Sequence, residues 1–150
     1  MKYAVTGGAG FIGSHLIRTL LDQGHSVTAI DNLNTGKLDN IKPVLDKIDF
    51  VKGDIRDFEL LKSKFRDVDG VFHEAALASV QESFSKEKEY NEVNVGGTEN
   101  VLRLSKEFGF KIVYASSSSV YGNPVKIPIV ESDPKNPINP RSEEHTSELQ

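Results

Sequence analysis

The feature that most constrains this chain is a glycine-rich segment between a short β-prone stretch and an amphipathic helix. The segment reads TGGAGFIG, residues 6–13, and Lys2–Thr6 at its start predicts a buried strand. After it, apolar residues recur on one side of a predicted helix from Phe11 to Gln23, and Gly24 is a suitable helix stop. Glycine allows a tight turn and a close approach of the backbone to a ligand. The segment therefore predicts a strand–turn–helix unit whose turn can hold a diphosphate at the start of the helix.

The remaining predicted elements alternate between strand and helix. Further strands are predicted at Ser26–Ile30, Ile48–Lys52, Gly70–His73 and Lys111–Ala115, and helices at Phe58–Phe65 and from about Glu87 to Phe108, before Gly109. The first strand, the helix and the second strand together take about 30 residues, the size of a βαβ unit. This order predicts an α/β fold, a Rossmann-type doubly wound parallel sheet of about five strands. Such sheets bind ligands beyond the carboxyl ends of their strands, and the polar signals described below all fall there.

Composition excludes several classes of protein. The 150 residues suit one domain, and a net charge of −4 without a basic stripe argues against nucleic acid or a membrane surface as a partner. Cysteine is absent, which excludes disulfide scaffolds, thiolate metal sites and cysteine nucleophiles, and is compatible with the cytoplasm. Glycines, His15 and Arg18 interrupt the apolar N-terminal stretch, so a secretory signal is not expected. We expect a cytoplasmic chain without a membrane span.

A carboxylate follows the second predicted strand. Asp31 lies 18 residues beyond Gly13, at the end of Ser26–Ile30. A carboxylate there can accept hydrogen bonds from both ribose hydroxyls of an adenosine and repels a 2′-phosphate, so the pattern favours NAD over NADP. No arginine or lysine occurs between Asp31 and Gly36. Each signal alone also fits an ordinary glycine-rich turn or a loop aspartate, but together they favour a dinucleotide site.

The third predicted strand is followed by Gly53-Asp54-Ile55-Arg56-Asp57. The carboxylate of Asp54 and its neighbouring backbone can read the adenine amino group, while Ile55 packs on the ring. Asp57 precedes the predicted helix at Phe58 and suits the N-cap position. We therefore assign Asp54 to the cofactor and Asp57 to helix capping.

Three further motifs complete a recognisable order. They are HEAA at residues 73–76, NVGGT at 94–98 and YASSSSVYG at 114–122. With TGGAGFIGSH at the start and GDIRD between, their order and spacing resemble the extended short-chain dehydrogenase/reductase family of NAD-dependent epimerases and dehydratases, and within it the UDP-glucose 4-epimerase group and related UDP-sugar epimerases. The resemblance covers residues 1–140.

The resemblance implies roles for individual residues. Ala75 and Ala76 would border the phosphate–ribose region of the cofactor, and Asn94 would steady the active-site backbone. Ser117 would be the catalytic hydroxyl that bonds the sugar oxygen, with Ser118 as the alternative, although serines at a strand end can also satisfy backbone groups. The expected cofactor-binding residues are Gly7, Gly10, Phe11, Ile12, Gly13, Asp31, Asn32, Asp54, Ile55, Ala75, Ala76 and Asn94.

The resemblance also implies an activity for a full-length protein. That activity is the epimerisation of a nucleotide sugar, with tightly held NAD as the cofactor and a UDP-hexose as the substrate. The resemblance also allows the full-length protein to be a homodimer. Ala78 stands where some glucose/galactose epimerases carry a lysine, so UDP-N-acetylhexosamine and UDP-uronate remain equally open as substrates. A dehydratase or reductase of the same family and a non-catalytic NAD-binding module are the alternatives. His15, His25 and His73 are interpreted as helix, loop and packed strand-end residues, so no metal site is expected.

The last ten residues depart from the family pattern. The family continues after its proline-rich stretch with Tyr-x-x-x-Lys, in which the lysine and the cofactor's positive charge lower the pKa of the tyrosine. Here Arg141 follows Pro140, and neither Tyr114 nor Tyr121 has a lysine four residues later. The decapeptide RSEEHTSELQ resembles the translation of a sequencing-library adapter. We expect residues 1–140 to be an incomplete NAD-binding domain, inactive by itself, and residues 141–150 to be a non-native tail; a genuine polar, disordered terminus is the alternative.

Overall fold

Five short parallel β-strands form the centre of the molecule in the computed structural model, which describes residues 1–142. They are β1 (Lys2–Thr6), β2 (Ser26–Asp31), β3 (Asp49–Lys52), β4 (Gly70–His73) and β5 (Lys111–Tyr114). Their order in the sheet is β3-β2-β1-β4-β5, and every pairing is parallel. The chain therefore winds outward from β1 in both directions, and the point of reversal lies between β1 and β4. The predicted fold class is confirmed.

The helices connect the strands in the expected order. They are α1 (Phe11–Asp22), α2 (Phe58–Phe65), α3 (Val80–Ser85), α4 (Glu87–Tyr90) and α5 (Gly97–Phe108). A π-helical stretch, Asn91–Gly96, joins α4 to α5, so the single long helix expected from Glu87 to Phe108 is divided into three parts. Helix α3 and the 3₁₀ turns at Leu38–Asn40, Lys42–Lys47 and Ser118–Tyr121 were not predicted.

The helix boundaries follow the local signals read from the sequence. Gly24 and Gly109 adopt φ angles of 77° and 81°, the left-handed conformation that glycine takes up most easily after a helix. At the start of α2, the side chain of Asp57 accepts a hydrogen bond of 3.0 Å from the backbone N–H of Leu60. Asp57 therefore caps the N-terminus of α2, as predicted from the sequence.

The core has one layer on each face of the sheet. Neighbouring residues of β1 point to opposite faces, so Ala4 belongs to one buried cluster and Val5 to the other. On the Ala4 face, Leu61 of α2 and Leu104 of α5 are fully buried; on the Val5 face, Ile17 of α1 is. The sheet is thus covered on both sides, which leaves the strand ends as the place for a site.

The end of the described chain is packed rather than extended. Residues 140–142 form a helical turn, and the fully buried Ser142 accepts hydrogen bonds of 3.1 Å through Oγ from the backbone N–H groups of Ile138 and Asn139. Residues 143–150, the greater part of the expected non-native tail, lie outside the described residues. Among residues 1–142, no helix is long and apolar enough to cross a bilayer.

Candidate nucleotide-binding site

A cleft of about 340 Å³ opens at the carboxyl ends of the strands, between the loops that follow β1, β2, β3 and β4. Eight of the twelve expected cofactor-binding residues line it, namely Gly7, Gly10, Asp31, Asn32, Asp54, Ile55, Ala75 and Ala76. Sequence reasoning missed other lining residues, among them Asn34, Thr35, Gly36, Arg56, Glu74 and Leu77. The structure therefore brings together most of a set that is scattered along the sequence.

The glycine-rich turn is packed against the loop after β4. Gly7 has a φ of 67°, and a Cβ atom placed there would come within 2.9 Å of the backbone nitrogen of Ala75. A Cβ on Gly13 would collide with the carbonyl oxygen of Gly7. Gly13 therefore allows the helix to pack on the turn itself.

Helix α1 begins at the edge of the cleft, which its N-cap residue lines. Gly10, the N-cap residue, offers no side chain, so the first N–H groups of the helix have no side-chain cap, and the first turn contains no acidic residue. Free N–H groups and the positive end of the helix dipole favour an anion. Phe11 and Ile12 begin this helix and are 78% and 58% exposed; neither they nor Gly13 line the cleft.

The carboxylate of Asp31 is held in place by two backbone amides. Oδ2 accepts a 2.9 Å bond from the N–H of Ala9 in the glycine-rich turn, and Oδ1 accepts a 2.7 Å bond from the N–H of Leu33. The side chain is nearly buried, and a Cβ on Gly36 would lie 2.7 Å from Oδ1. Each oxygen keeps a second lone pair, so the group can still accept a pair of hydroxyl protons.

A clasp of backbone and side-chain bonds joins the loop after β2 to the glycine-rich turn. The carbonyl oxygen of Ala9 accepts hydrogen bonds from the N–H of Lys37 at 3.0 Å and from Nδ2 of Asn40 at 2.8 Å. The guanidinium of Arg18 in turn donates to the carbonyl oxygen of Asn40. Both polar groups of the Ala9 backbone are therefore engaged, and the two loops form one wall of the cleft.

Asp54, in the loop after β3, accepts four hydrogen bonds. Oδ1 accepts from the backbone N–H and the Nε of Arg56, each at 2.9 Å; Oδ2 accepts from Nη2 of Arg56 at 2.8 Å and from Nδ2 of Asn32 at 3.0 Å. The Arg56 side chain holds the pKa of Asp54 far below its usual range, against the opposing effect of burial. The same ion pair raises the pKa of Arg56. Ile55 lies between them and is 95% buried, because its side chain packs against Gly97 in the core.

The other expected residues lie deeper or at the margin. Asn94 is buried outside the main cleft, where its side chain accepts a 2.8 Å bond from the Leu77 N–H and donates a 2.9 Å bond to the Leu77 carbonyl. Ser117 Oγ is 2.8 Å from Ser119 Oγ and caps the 3₁₀ turn that follows it, whereas Ser118 is exposed. Neither serine lines the cleft.

The chain resembles known proteins over nearly its whole length. The model of the NAD dependent epimerase/dehydratase family matches residues 3–143. UDP-glucose 4-epimerase of Halalkalibacterium halodurans is 45% identical over 146 residues, which is 95% of this chain and 42% of that protein. The chain therefore spans less than half the length of this relative.

Solved structures give the same result for the fold. A UDP-glucose-4-epimerase from Stenotrophomonas maltophila, with bound NAD and formylated UDP-arabinopyranose, superposes with a TM-score of 0.93 at 32% identity, over 100% of this chain and 47% of that one. UDP-N-acetylglucosamine 4-epimerase from Methanobrevibacter ruminantium M1, in complex with UDP-N-acetylmuramic acid, gives 0.91 at 37% identity, over 97% and 47%.

Proposed function

The chain belongs to the NAD-dependent epimerase/dehydratase family, and on that premise we propose that it is the NAD-binding part of a nucleotide-sugar epimerase. The observation that carries the proposal is the position of Asp31, whose carboxylate two backbone amides aim into a cleft beside an uncapped helix N-terminus. These two features match the two ends of an adenosine diphosphate, because the helix terminus attracts the phosphates and the carboxylate accepts from the ribose hydroxyls.

Each wall of the cleft has a distinct task in this proposal. Gly7 and Gly10 let the backbone approach the diphosphate, and Asp31 selects a ribose without a 2′-phosphate. Asp54 already accepts two hydrogen bonds on each oxygen, so the adenine amino group would take the place of the Asn32 amide as a donor to Oδ2. When bound, NAD would supply the hydride acceptor and donor that epimerisation of the sugar requires. Ser117 would donate a hydrogen bond to the sugar oxygen from which the proton leaves.

We propose that only a longer protein epimerises the sugar. The sequence holds no Tyr-x-x-x-Lys pair, and the chain covers less than half of the relatives' length. A tyrosinate from such a pair would remove the proton of the sugar hydroxyl. We expect the chain itself to bind NAD without epimerising a sugar. A cytoplasmic location and a homodimer are expected of the longer protein, and a chain without cysteine suits a reducing compartment.

The proposed substrate is a UDP-hexose, and the proposal does not specify which hexose. Similar proteins are named for UDP-glucose and for UDP-N-acetylglucosamine. Ala78 carries no charge to favour one sugar over the other. A panel of UDP-glucose, UDP-N-acetylglucosamine and UDP-glucuronate, offered to the longer protein, would identify which is epimerised.

Titration calorimetry of the chain with NAD and NADP tests the proposal. NAD is expected to bind and NADP to bind at least about tenfold more weakly, because a 2′-phosphate would meet the Asp31 carboxylate. An epimerase assay on the same sample is expected to give no turnover. Failure to bind NAD would overturn the proposed cofactor role. Measurable turnover would overturn the proposal that catalysis requires a longer protein.

A further inference from the structure

A buried histidine links the two loops that form the floor of the cleft. His73, at the end of β4, is 1% exposed. Its Nδ1 lies 2.7 Å from the hydroxyl of Thr6 at the end of β1, and its Nε2 lies 2.8 Å from the hydroxyl of Thr98 in α5. Both threonines are buried, so each hydroxyl must find its partners within the protein.

Two backbone groups, the carbonyl of Asn94 and the N–H of Ala75, determine which atom donates in each of these hydrogen bonds. The Thr98 hydroxyl donates its only proton to the carbonyl oxygen of Asn94, at 2.6 Å, so it must accept from His73 Nε2–H. Nδ1 of the neutral ring is then bare and accepts the proton of Thr6, whose oxygen is left to accept the N–H of Ala75 at 3.2 Å. One sequence of donors and acceptors therefore satisfies every group in the chain of bonds.

One end of this chain of bonds lies at the cleft, and the other lies beside it at Asn94, which is buried outside the cleft. The backbone of Ala75 packs against Gly7, and both line the site. At the other end, Asn94 holds the backbone of Leu77, which also lines the site, through both its N–H and its carbonyl. Burial also favours the neutral ring, because it lowers the pKa of His73 to about 4.

We infer that His73, as the neutral Nε2–H tautomer, is a positioning residue that holds the Ala75 backbone against the glycine-rich turn in the geometry that the dinucleotide requires. The inference rests on the proposed function for its ligand, but the tautomer is a property of the chain alone. The hydrogen bonds through Thr6, here called the arm through Thr6, hold the backbone of Ala75 at the cleft. The hydrogen bond to Thr98, the arm through Thr98, anchors the ring in the core.

Nitrogen NMR of the uniformly labelled chain tests the tautomer without any ligand. Long-range proton–nitrogen correlation is expected to show a protonated Nε2 and a bare Nδ1 for His73 at pH 7. A protonated Nδ1, or a ring with both nitrogens protonated, would overturn the inference. This result does not depend on NAD binding, so it separates a failure of the inference from a failure of the proposed function.

Two substitutions of His73 test positioning against a purely structural role. In His73→Asn the amide oxygen takes the place of Nδ1 and keeps the arm through Thr6; in His73→Gln the amide nitrogen takes the place of Nε2 and keeps only the arm through Thr98. Both lose the ring, so similar falls in Tm are expected. NAD affinity is expected to stay within about threefold of wild type in the Asn variant and to fall about tenfold or more in the Gln variant, since that variant leaves the Ala75 arm without its acceptor. Equal losses of affinity would overturn the inference.

Thr6 provides a second pair of variants if the His73 variants do not fold. Thr6→Val keeps the shape of the side chain and removes its hydroxyl, whereas Thr6→Ser keeps the hydroxyl. The Val variant is expected to bind NAD about tenfold more weakly, because Ala75 N–H and His73 Nδ1 lose their common partner. The Ser variant is expected to restore affinity. Wild-type affinity in the Val variant would contradict the inference.

Discussion

At the scale of single residues, the site depends on side chains whose orientation the backbone fixes. Asp31 was identified in the sequence because a carboxylate after the second strand of such a sheet can accept hydrogen bonds from the ribose hydroxyls of an adenosine. Its two amide partners, Ala9 and Leu33, could not be identified, because they depend on how two loops fold against each other. Arg56 was missed for a similar reason, since nothing in the string GDIRD shows that its arginine turns back onto Asp54.

Asp31→Asn measures the ribose contact. The amide has one acceptor oxygen instead of two and no charge, so NAD affinity is expected to fall about 10- to 100-fold, the loss typical of charge-assisted hydrogen bonds. Asp39→Asn removes the same charge from an exposed position on the neighbouring 3₁₀ turn and serves as the control. Calorimetry with NAD provides the measurement, and unchanged affinity in Asp31→Asn would show that this carboxylate does not bind the cofactor.

His73 makes the stability of the fold depend on pH. Its pKa falls from 6.5 to about 4 on burial, so between those values the unfolded chain binds a proton that the folded chain does not. The contribution is complete above pH 6.5 and decreases as the pH falls, by about 3 kcal/mol at pH 4. The titratable or charged groups around the ring are Glu74, next in the chain, Tyr114, stacked 5.9 Å away, and Arg141, across a small cavity.

Urea unfolding between pH 7 and pH 4.5 checks this dependence. His73→Asn is the control, because it removes the titrating ring and keeps Glu74, whose pKa burial raises and whose effect on stability therefore runs in the opposite direction. The wild-type chain is expected to lose more stability on acidification than the variant. Parallel pH profiles would contradict the prediction.

At the scale of elements, strands and long helices were easier to predict than the turns between them. The strands of the sheet start and end within one residue of their predicted limits, because parallel strands are short apolar runs and glycine or aspartate marks the ends of β1, β2 and β3. The 3₁₀ turns of the loop after β2 carry no such periodicity. The π-helical stretch Asn91–Gly96 was also missed, since one extra residue in a helical turn leaves no sign in a pattern of apolar spacing.

Two glycines in helices are expected to respond to alanine in opposite ways. Gly13→Ala would place a methyl group against the carbonyl of Gly7, so it should lower stability by about 1–3 kcal/mol and weaken NAD binding. Gly96→Ala meets nothing within 4 Å at a helical φ of −60°, so it should raise stability by up to about 1 kcal/mol. Thermal unfolding of both variants checks the contrast. Destabilisation by Gly96→Ala would mean that the π-helical turn needs glycine for another reason.

At the scale of the whole molecule, the sheet has two edges within the described residues, β3 and β5. On β5, Val113 is 55% exposed. An unpaired edge with an apolar side chain favours pairing with another chain. The fold class could be predicted from the alternation of strands and helices, but which strands lie at the edge became clear only from the observed order.

The edge at β5 leads to a prediction about association. We expect the isolated chain to self-associate as its concentration rises, and Val113→Lys to reduce that association by placing a charge on the edge. Sedimentation velocity over a range of concentrations gives the measurement. Leu102→Lys, at a residue of α5 that is 44% exposed, is the control for adding a charge elsewhere. Equal association of both variants and wild type would exclude the β5 edge as the contact.

The clasp between Ala9, Lys37 and Asn40 has a consequence for how fast a nucleotide can enter. Ordering a loop on binding costs roughly 1–2 kcal/mol of backbone entropy per residue, and a loop already fastened by the fold avoids most of that loss at the moment of encounter. Stopped-flow traces of NADH fluorescence should then be single-exponential, with an observed rate that rises linearly with ligand concentration and does not level off. Cutting the fastening with Asn40→Ala should introduce a slower, concentration-independent phase, the sign of a loop that must close after the ligand arrives.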